Sequence, residues 1–356
     1  MPMDSSGSWY LDISDSLLPL WLSRCPLVCA ETSSITLHVL KAWKQCMKLT
    51  IVYSEYYQFF LSFGVLGGLA SSCVWTTSIA TTGHWFFKRR GIATGIVTSA
   101  GPLGGIIFPV MFQQLEPRLG FGWTVRSIAF ICLAMGGIAM CLMRTRIPSS
   151  HTIKWNANFK IFTDIRFMWT IGAMFSIEFA CLIPSAYITT YALSKGVDSS
   201  LAYQQLAIMN AAQVPGRAIP GWLADRWGRF NVMILSSVPC AIVILAVWLP
   251  ADGAAAITAF SVLFGFLSGT ANSLTPVCIS QLCKTEDYGS KYGTAYLFLS
   301  PATLIGIPIA GVVLRSQGEL NFSGLILLCG LVYLTSAVLF TLARISGAGW
   351  KIKKVF

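Results

Sequence analysis

Nine stretches of about 20 predominantly apolar residues, near 59–82, 92–114, 124–143, 167–193, 202–222, 231–249, 255–282, 293–314 and 324–343, constrain this chain more than any other feature. A helix of that length crosses the hydrocarbon core of a bilayer. It is also the one single-segment structure that satisfies its own backbone hydrogen bonds there. The expected fold is therefore all-α and polytopic, a bundle of about nine transmembrane helices. Composition agrees: 11% of the 356 residues are charged and 55% are hydrophobic, with a mean hydropathy of +0.67. Soluble domains carry about a quarter charged residues. A secreted disulfide scaffold and a disordered regulator are excluded on the same grounds.

The net charge of +11 belongs to the membrane rather than to a nucleic acid. One set of alternate loops carries Lys88, Arg89 and Arg90; Arg144, Arg146, Lys154, Lys160 and Arg166; Arg226 and Arg229; Lys284 and Lys291; and Arg344, Lys351, Lys353 and Lys354, sixteen in all. The opposite set carries Arg118, Arg126, Lys195 and Arg315, four in all. Lys and Arg concentrate on the cytoplasmic side of short loops, so the central loop 144–166 and the basic tail 344–356 are expected in the cytoplasm, with the plasma membrane as the site. The excess faces anionic headgroups. No basic stripe is interleaved with stacking aromatics, so nucleic acid is not an expected partner. The Asn321-Phe322-Ser323 sequon falls in a loop the same count places outside, where Asn321 is a glycosylation candidate.

Residues 1–58 read as a non-spanning segment. The apolar stretch 17–30 is interrupted by Pro19, Arg24 and Pro26, and 36–53 carries Lys41, Lys44 and Lys48, a pattern of an interfacial helix. The eleven cysteines are mostly single residues in apolar runs without a C-x-x-C pair, and His38, His84 and His151 are far apart. No metal site, disulfide set or cofactor is expected. Nucleophile elbow, metal pair and dinucleotide fingerprint are all missing, which argues against an enzyme.

Two ionised side chains fall well inside the spans, Glu178 and Arg217. Charge at that depth is costly, about 3 kcal/mol on insertion scales, and faces a cavity or a partner. Asn210, Gln213 and Arg217 recur at spacings of three and four and share one helix face, expected to line a wet cavity in which the guanidinium receives a carboxylate. The alternatives are a protonated structural acid at Glu178 and a helix-packing role for Arg217. Beyond that span lies Gly221-Trp222-Leu223-Ala224-Asp225-Arg226-Trp227-Gly228-Arg229, a tight turn at Gly228 with Asp225, Arg226 and Arg229 as an expected charge clasp.

That G-x-x-x-D-R-x-G-R pattern resembles the loop signature of the major facilitator superfamily. A second block, His84-Trp85-Phe86-Phe87-Lys88-Arg89-Arg90-Gly91 leading into Ser99-Ala100-Gly101-Pro102-Leu103-Gly104-Gly105, is similar to the monocarboxylate-porter family within it, particularly its fungal branch. Pro184-Ser185-Ala186-Tyr187 with Tyr191, Pro215-Gly216-Arg217 and Gly306-Ile307-Pro308 agree. The resemblance covers roughly residues 55–343. It implies two six-helix halves that give a central site access to each side in turn. It also implies secondary transport of a small carboxylate or organic metabolite, with protons as a co-substrate, and makes Arg217 the substrate-linked arginine; Glu178, Gln213, Asn210 and Tyr187 complete the expected pathway. Where animal members have an aspartate four residues before the arginine, this chain has Gln213. Matched to the family, 59–143 is a partial first half of three helices and 167–343 a complete second half, with helices one to three lacking. Export of a fungal secondary metabolite, or a truncated, non-transporting membrane protein or pseudogene product, are the competing readings.

Overall fold

The computed structural model describes residue 57 and residues 60–86, 88–142, 163–283, 287–316 and 321–349. The expected interfacial segment, most of the central loop and the last residues of the tail lie outside them. Among the described residues there is no strand, and the chain is helical throughout apart from short turns. A π-helical stretch, Phe60–Leu66, leads into α1, Gly67–Trp85. Next come α2, Arg90–Thr98, and α3, Ala100–Leu142. They are followed by α4, Ile165–Ser194, and α5, Ser199–Trp227. Then α6, Arg229–Val243, ends in a second π-helical stretch, Ile244–Trp248. The series closes with α7, Ala254–Gln281, α8, Tyr288–Ser316, and α9, Ser323–Ala348.

Six helical runs among these residues are long and apolar enough to cross a membrane: Arg90–Ala139, Ile165–Ser194, Arg229–Trp248, Ala254–Gln281, Tyr288–Ser316 and Ser323–Gly347. The stretches expected as separate spans at 92–114 and 124–143 fall on two helical segments that meet at Gly120, which leaves helical geometry at φ 77°, ψ 163°. The stretch expected at 202–222 lies in α5, which has the length but is diluted by Gln204, Gln205, Asn210, Gln213 and Arg217.

Compactness divides the chain into two units. One takes Thr76–Arg118 with Ser149–Phe356, and the other takes Met1–Trp75 with Leu119–Pro148. The boundary differs from the expected halves because α2 and the start of α3 lie along α5, in the larger unit. That unit is centred on a buried aromatic chain. Trp248 stacks on Phe260 at 4.8 Å, Phe260 on Phe264 at 5.4 Å, and Phe264 meets Tyr333 edge-on at 6.1 Å. Tyr191 continues it, edge-on to Trp248 and Phe322, and its hydroxyl donates to the carbonyls of Ala251 (2.8 Å) and Trp248 (3.2 Å). Beside it, Lys195 pairs with Asp252 at 2.5 Å on the surface, and that hydrogen bond raises the ammonium pKa.

Local chemistry sets the helix ends. Asp164 and Asp198 cap α4 and α5, each accepting the N–H two residues on at 3.0 Å. Gly228, at φ 92°, makes the reversal between α5 and α6 that a side chain would resist.

Prolines inside the spans leave carbonyls without their helical donor four residues later, and in lipid each must find another. Pro184 frees the carbonyl of Ala180, which accepts from Cys329 Sγ at 3.4 Å. Pro220 frees that of Gly216, which accepts from Thr270 Oγ1 at 3.4 Å. Pro301 frees that of Leu297, which accepts from Ser300 Oγ at 2.9 Å.

Candidate functional site

The same deficit organises the expected site. Ser99 keeps helical dihedrals (φ −63°, ψ −16°) between α2 and α3, so the two form nearly one rod in which Pro102 denies a donor to the carbonyl of Thr98. Arg217 Nη1 of α5 donates to that carbonyl at 2.6 Å. Two turns on, Pro109 denies a donor to the carbonyl of Gly105, and Asn210 Nδ2 of α5 donates to it at 3.4 Å. The prolines, the freed carbonyls and the donors are each seven residues apart, so α5 runs antiparallel to α2–α3 in register, two helical turns at a time. Between the two bonds Ser99 Oγ lies 3.3 Å from the Val214 carbonyl.

Arg217 is held further by Gln213 Oε1, which accepts from Nη2 at 3.1 Å. Both residues are only 7% exposed. The expected wet face is thus covered by α2–α3, and the packing alternative describes this conformation. Even so, the guanidinium is not neutralised. Among the described residues no carboxylate forms an ion pair with it, and its buried Nε has no hydrogen-bond partner. Glu178, half-buried at the middle of α4, lies within electrostatic reach of the guanidinium and of Tyr296 on α8. Its carboxyl makes no hydrogen bond to another described residue. Tyr187 lies apart from this group, its hydroxyl 3.3 Å from the Ile307 carbonyl of α8.

At the basic end of the unit the two sequence blocks meet. The residue before α2 is Arg89, which offers no side-chain cap to the helix. The carboxylate of Asp225 supplies it from α5, accepting from Gly91 N–H at 2.8 Å and Ile92 N–H at 3.0 Å. A negative charge there also opposes the positive end of the helix dipole. The approach requires glycine on both sides: a Cβ on Gly221 would sit 2.5 Å from the Gly91 carbonyl oxygen, and one on Gly91 would collide with the Gly221 carbonyl.

Within the clasp expected over residues 225–229, Asp225 is engaged by the start of α2, and Arg229 remains within its electrostatic reach. Arg226 lies over the Trp222 ring at 4.0 Å, and Arg229 reaches Ser280 Oγ at 3.4 Å and the Val277 carbonyl at 3.5 Å. The two directed N–H groups take the carboxylate oxygens, while both arginines find partners of their own. We expect Asp225→Asn, which keeps one acceptor but loses the charge, to raise amide exchange at Gly91 and Ile92 about tenfold, the equivalent of one charge-assisted hydrogen bond. Hydrogen–deuterium exchange over that peptide checks it; unchanged protection would refute the cap.

Of Lys88, Arg89 and Arg90, the first two are exposed and the third is buried. Arg90 Nε donates to the Phe86 carbonyl at 3.0 Å, Nη2 to that of Gly83, and the guanidinium lies 5.5 Å from the centre of the Tyr288 ring. Burial, then the charge of Arg90, lowers the pKa of His84 beside it. Asn321 is exposed ahead of α9, with Oδ1 accepting the Ser323 N–H at 3.1 Å. Sequence reasoning missed Thr98, Pro102, Gly105 and Pro109, although a proline four residues past a carbonyl at membrane depth was a visible signal. Tyr288 carried none.

The model of the Major Facilitator Superfamily matches residues 46–300 and 206–354. A riboflavin transporter of Saccharomyces cerevisiae is 33% identical, over 84% of this chain and 62% of that protein. An agnestins efflux protein of Paecilomyces divaricatus is 36% identical, over 82% of this chain and 66% of that protein. The chain thus spans somewhat under two thirds of the length of these two relatives. Among solved structures, the human organic anion transporter MFSD10 superposes with a TM-score of 0.70 at 13% identity, covering 87% of this chain and 77% of that one.

Proposed function

This chain belongs to the Major Facilitator Superfamily, and we propose that it acts as a secondary transporter of an organic carboxylate by alternating access. One observation carries the reading: a buried guanidinium on α5 has neutral acceptors on two nitrogens, none on the third and no ion-paired carboxylate among the described residues. An anion arriving at Arg217 would neutralise it through a forked pair of hydrogen bonds. Gln213, in place of an acid, leaves that charge available. Asn210 lies on the same face and supplies a neutral donor, and Tyr187 lies further along the pathway.

Within the superfamily we place the chain with the monocarboxylate-porter branch, on the blocks around Arg90 and Arg217. Its basic end is the cytoplasmic one, with the carboxyl terminus on that side of the plasma membrane. Asp225 joined to the start of α2 then closes the cytoplasmic end and must part for access from inside. Export of a larger metabolite is the second reading, favoured by the efflux relative.

Purified protein in vesicles, supplied with labelled benzoate under an imposed pH gradient, tests the assignment. Saturable flux is expected, and no flux of benzoate, lactate or riboflavin by inserted protein would remove it. Glu178, unpartnered beside Arg217, is the proton-carrying group in this reading. Glu178→Gln is expected to flatten the pH profile of flux while leaving benzoate exchange in place. A profile identical to that of the unaltered chain would return Glu178 to a structural role.

A further inference from the structure

We propose that Pro102 is a positioning residue for the anion site: it keeps Arg217 parked on the Thr98 carbonyl until a carboxylate takes the guanidinium over. This rests on the assignment of Arg217 to the substrate. In an uninterrupted helix the Thr98 carbonyl would be bonded by the N–H at position 102 and would have little left to offer. Proline removes that N–H, and the carbonyl, buried where no water replaces it, becomes an acceptor directed at α5. Arg217 Nη1 meets it at 2.6 Å, and Gln213 fixes the other terminal nitrogen at 3.1 Å.

The parked guanidinium has two consequences. Its charge is held on neutral acceptors without a directly paired carboxylate, so the empty site stays receptive to anions. Its release is coupled to helix packing, because the bond that an arriving carboxylate displaces is one that holds α5 to α2–α3. A ligand that exchanges that bond for its own acts on the two helices differently when bound and when absent, as any shift between conformations requires. The neighbouring bond from Asn210 to Gly105, freed by Pro109, is neutral and longer at 3.4 Å, and remains as a weaker tether.

The inference can be read without knowing the natural substrate. Pro102→Ala returns an N–H to the helix, satisfies Thr98 internally and releases Arg217. In the full chain in detergent or vesicles, phenylglyoxal, which modifies free arginine side chains, is expected to label Arg217 about tenfold faster in Pro102→Ala than in the unaltered chain, the change expected from loss of one charge-assisted hydrogen bond. Peptide mass spectrometry reads the adduct.

Pro301→Ala, whose freed carbonyl is served within its own helix, is the control and should leave the Arg217 rate unchanged. Equal labelling of Arg217 in Pro102→Ala and the unaltered chain, or the same acceleration in Pro301→Ala, would overturn the inference. Pro102→Ser, which also restores the N–H, serves if the alanine variant does not fold. Benzoate separates this inference from the functional assignment. Protection of Arg217 by benzoate in Pro102→Ala supports both, whereas faster labelling without protection supports the parking by Pro102 and removes the anion assignment.

Discussion

Arg217→Lys is expected to lower carboxylate flux about 10- to 100-fold with normal abundance in the membrane, although the charge is kept. The magnitude corresponds to one or two charge-assisted hydrogen bonds at about 1.5–3 kcal/mol each. A guanidinium presents donors in a planar fork, so Nη1 and Nη2 can hold Thr98 and Gln213 while Nε stays free. An ammonium is a compact point with a different reach and cannot offer a carboxylate two parallel bonds. Flux in vesicles, normalised to inserted protein, is the measurement. A rate and affinity equal to those of the unaltered chain would show that Arg217 does not touch the substrate.

The second large effect is structural and falls on Gly216. A methyl group there would collide with the backbone carbonyl oxygen of Phe266 on α7 and lie 2.8 Å from its carbonyl carbon and Cα. On the other side of the crossing, a Cβ on Gly269 would sit 2.9 Å from the Gly216 carbonyl carbon. Backbone atoms cannot rotate away as a side chain does, so α5 and α7 would have to separate along a seam that also holds Gln205 to Thr258 and Ser261.

Gly216→Ala is expected to cost about 1–3 kcal/mol, the range of overpacked cores, and to lower the melting temperature and the monodisperse yield in detergent. Gly293→Ala on α8, where nothing lies within 4 Å of the added carbon, should be neutral or slightly stabilising, since alanine is the better helix former. Equal melting temperatures for the two variants would show that α5 and α7 do not cross in close backbone contact at Gly216.

How much of this was legible beforehand depends on the range over which each interaction acts. The all-helical architecture follows from the length of apolar runs, a property of consecutive residues, and Arg217 and Glu178 stand out because charge is rare there. The partner of Asp225 was not legible. Neighbouring Arg226 and Arg229 suggested a local clasp, whereas the carboxylate goes to a helix start 134 residues away in sequence. The environment of Arg217 is ambiguous in the sequence for a related reason. Its polar stripe with Gln213 and Asn210 implies a need for partners, and water and backbone carbonyls satisfy that need equally well. Only the prolines at 102 and 109 distinguish them, and their meaning depends on knowing that α2–α3 lies against α5.

The matched prolines also bear on how the chain is made. The carbonyls of Thr98 and Gly105 precede their donors on α5 by 119 and 105 residues. At about 5–20 residues per second of synthesis, some 5 to 25 seconds pass between the emergence of acceptor and donor. Throughout that interval two backbone groups bound for the hydrocarbon have no lasting partner. The young α2–α3 rod must therefore wait beside water or the wall of the insertion channel, and the arrival of α5 releases it into lipid.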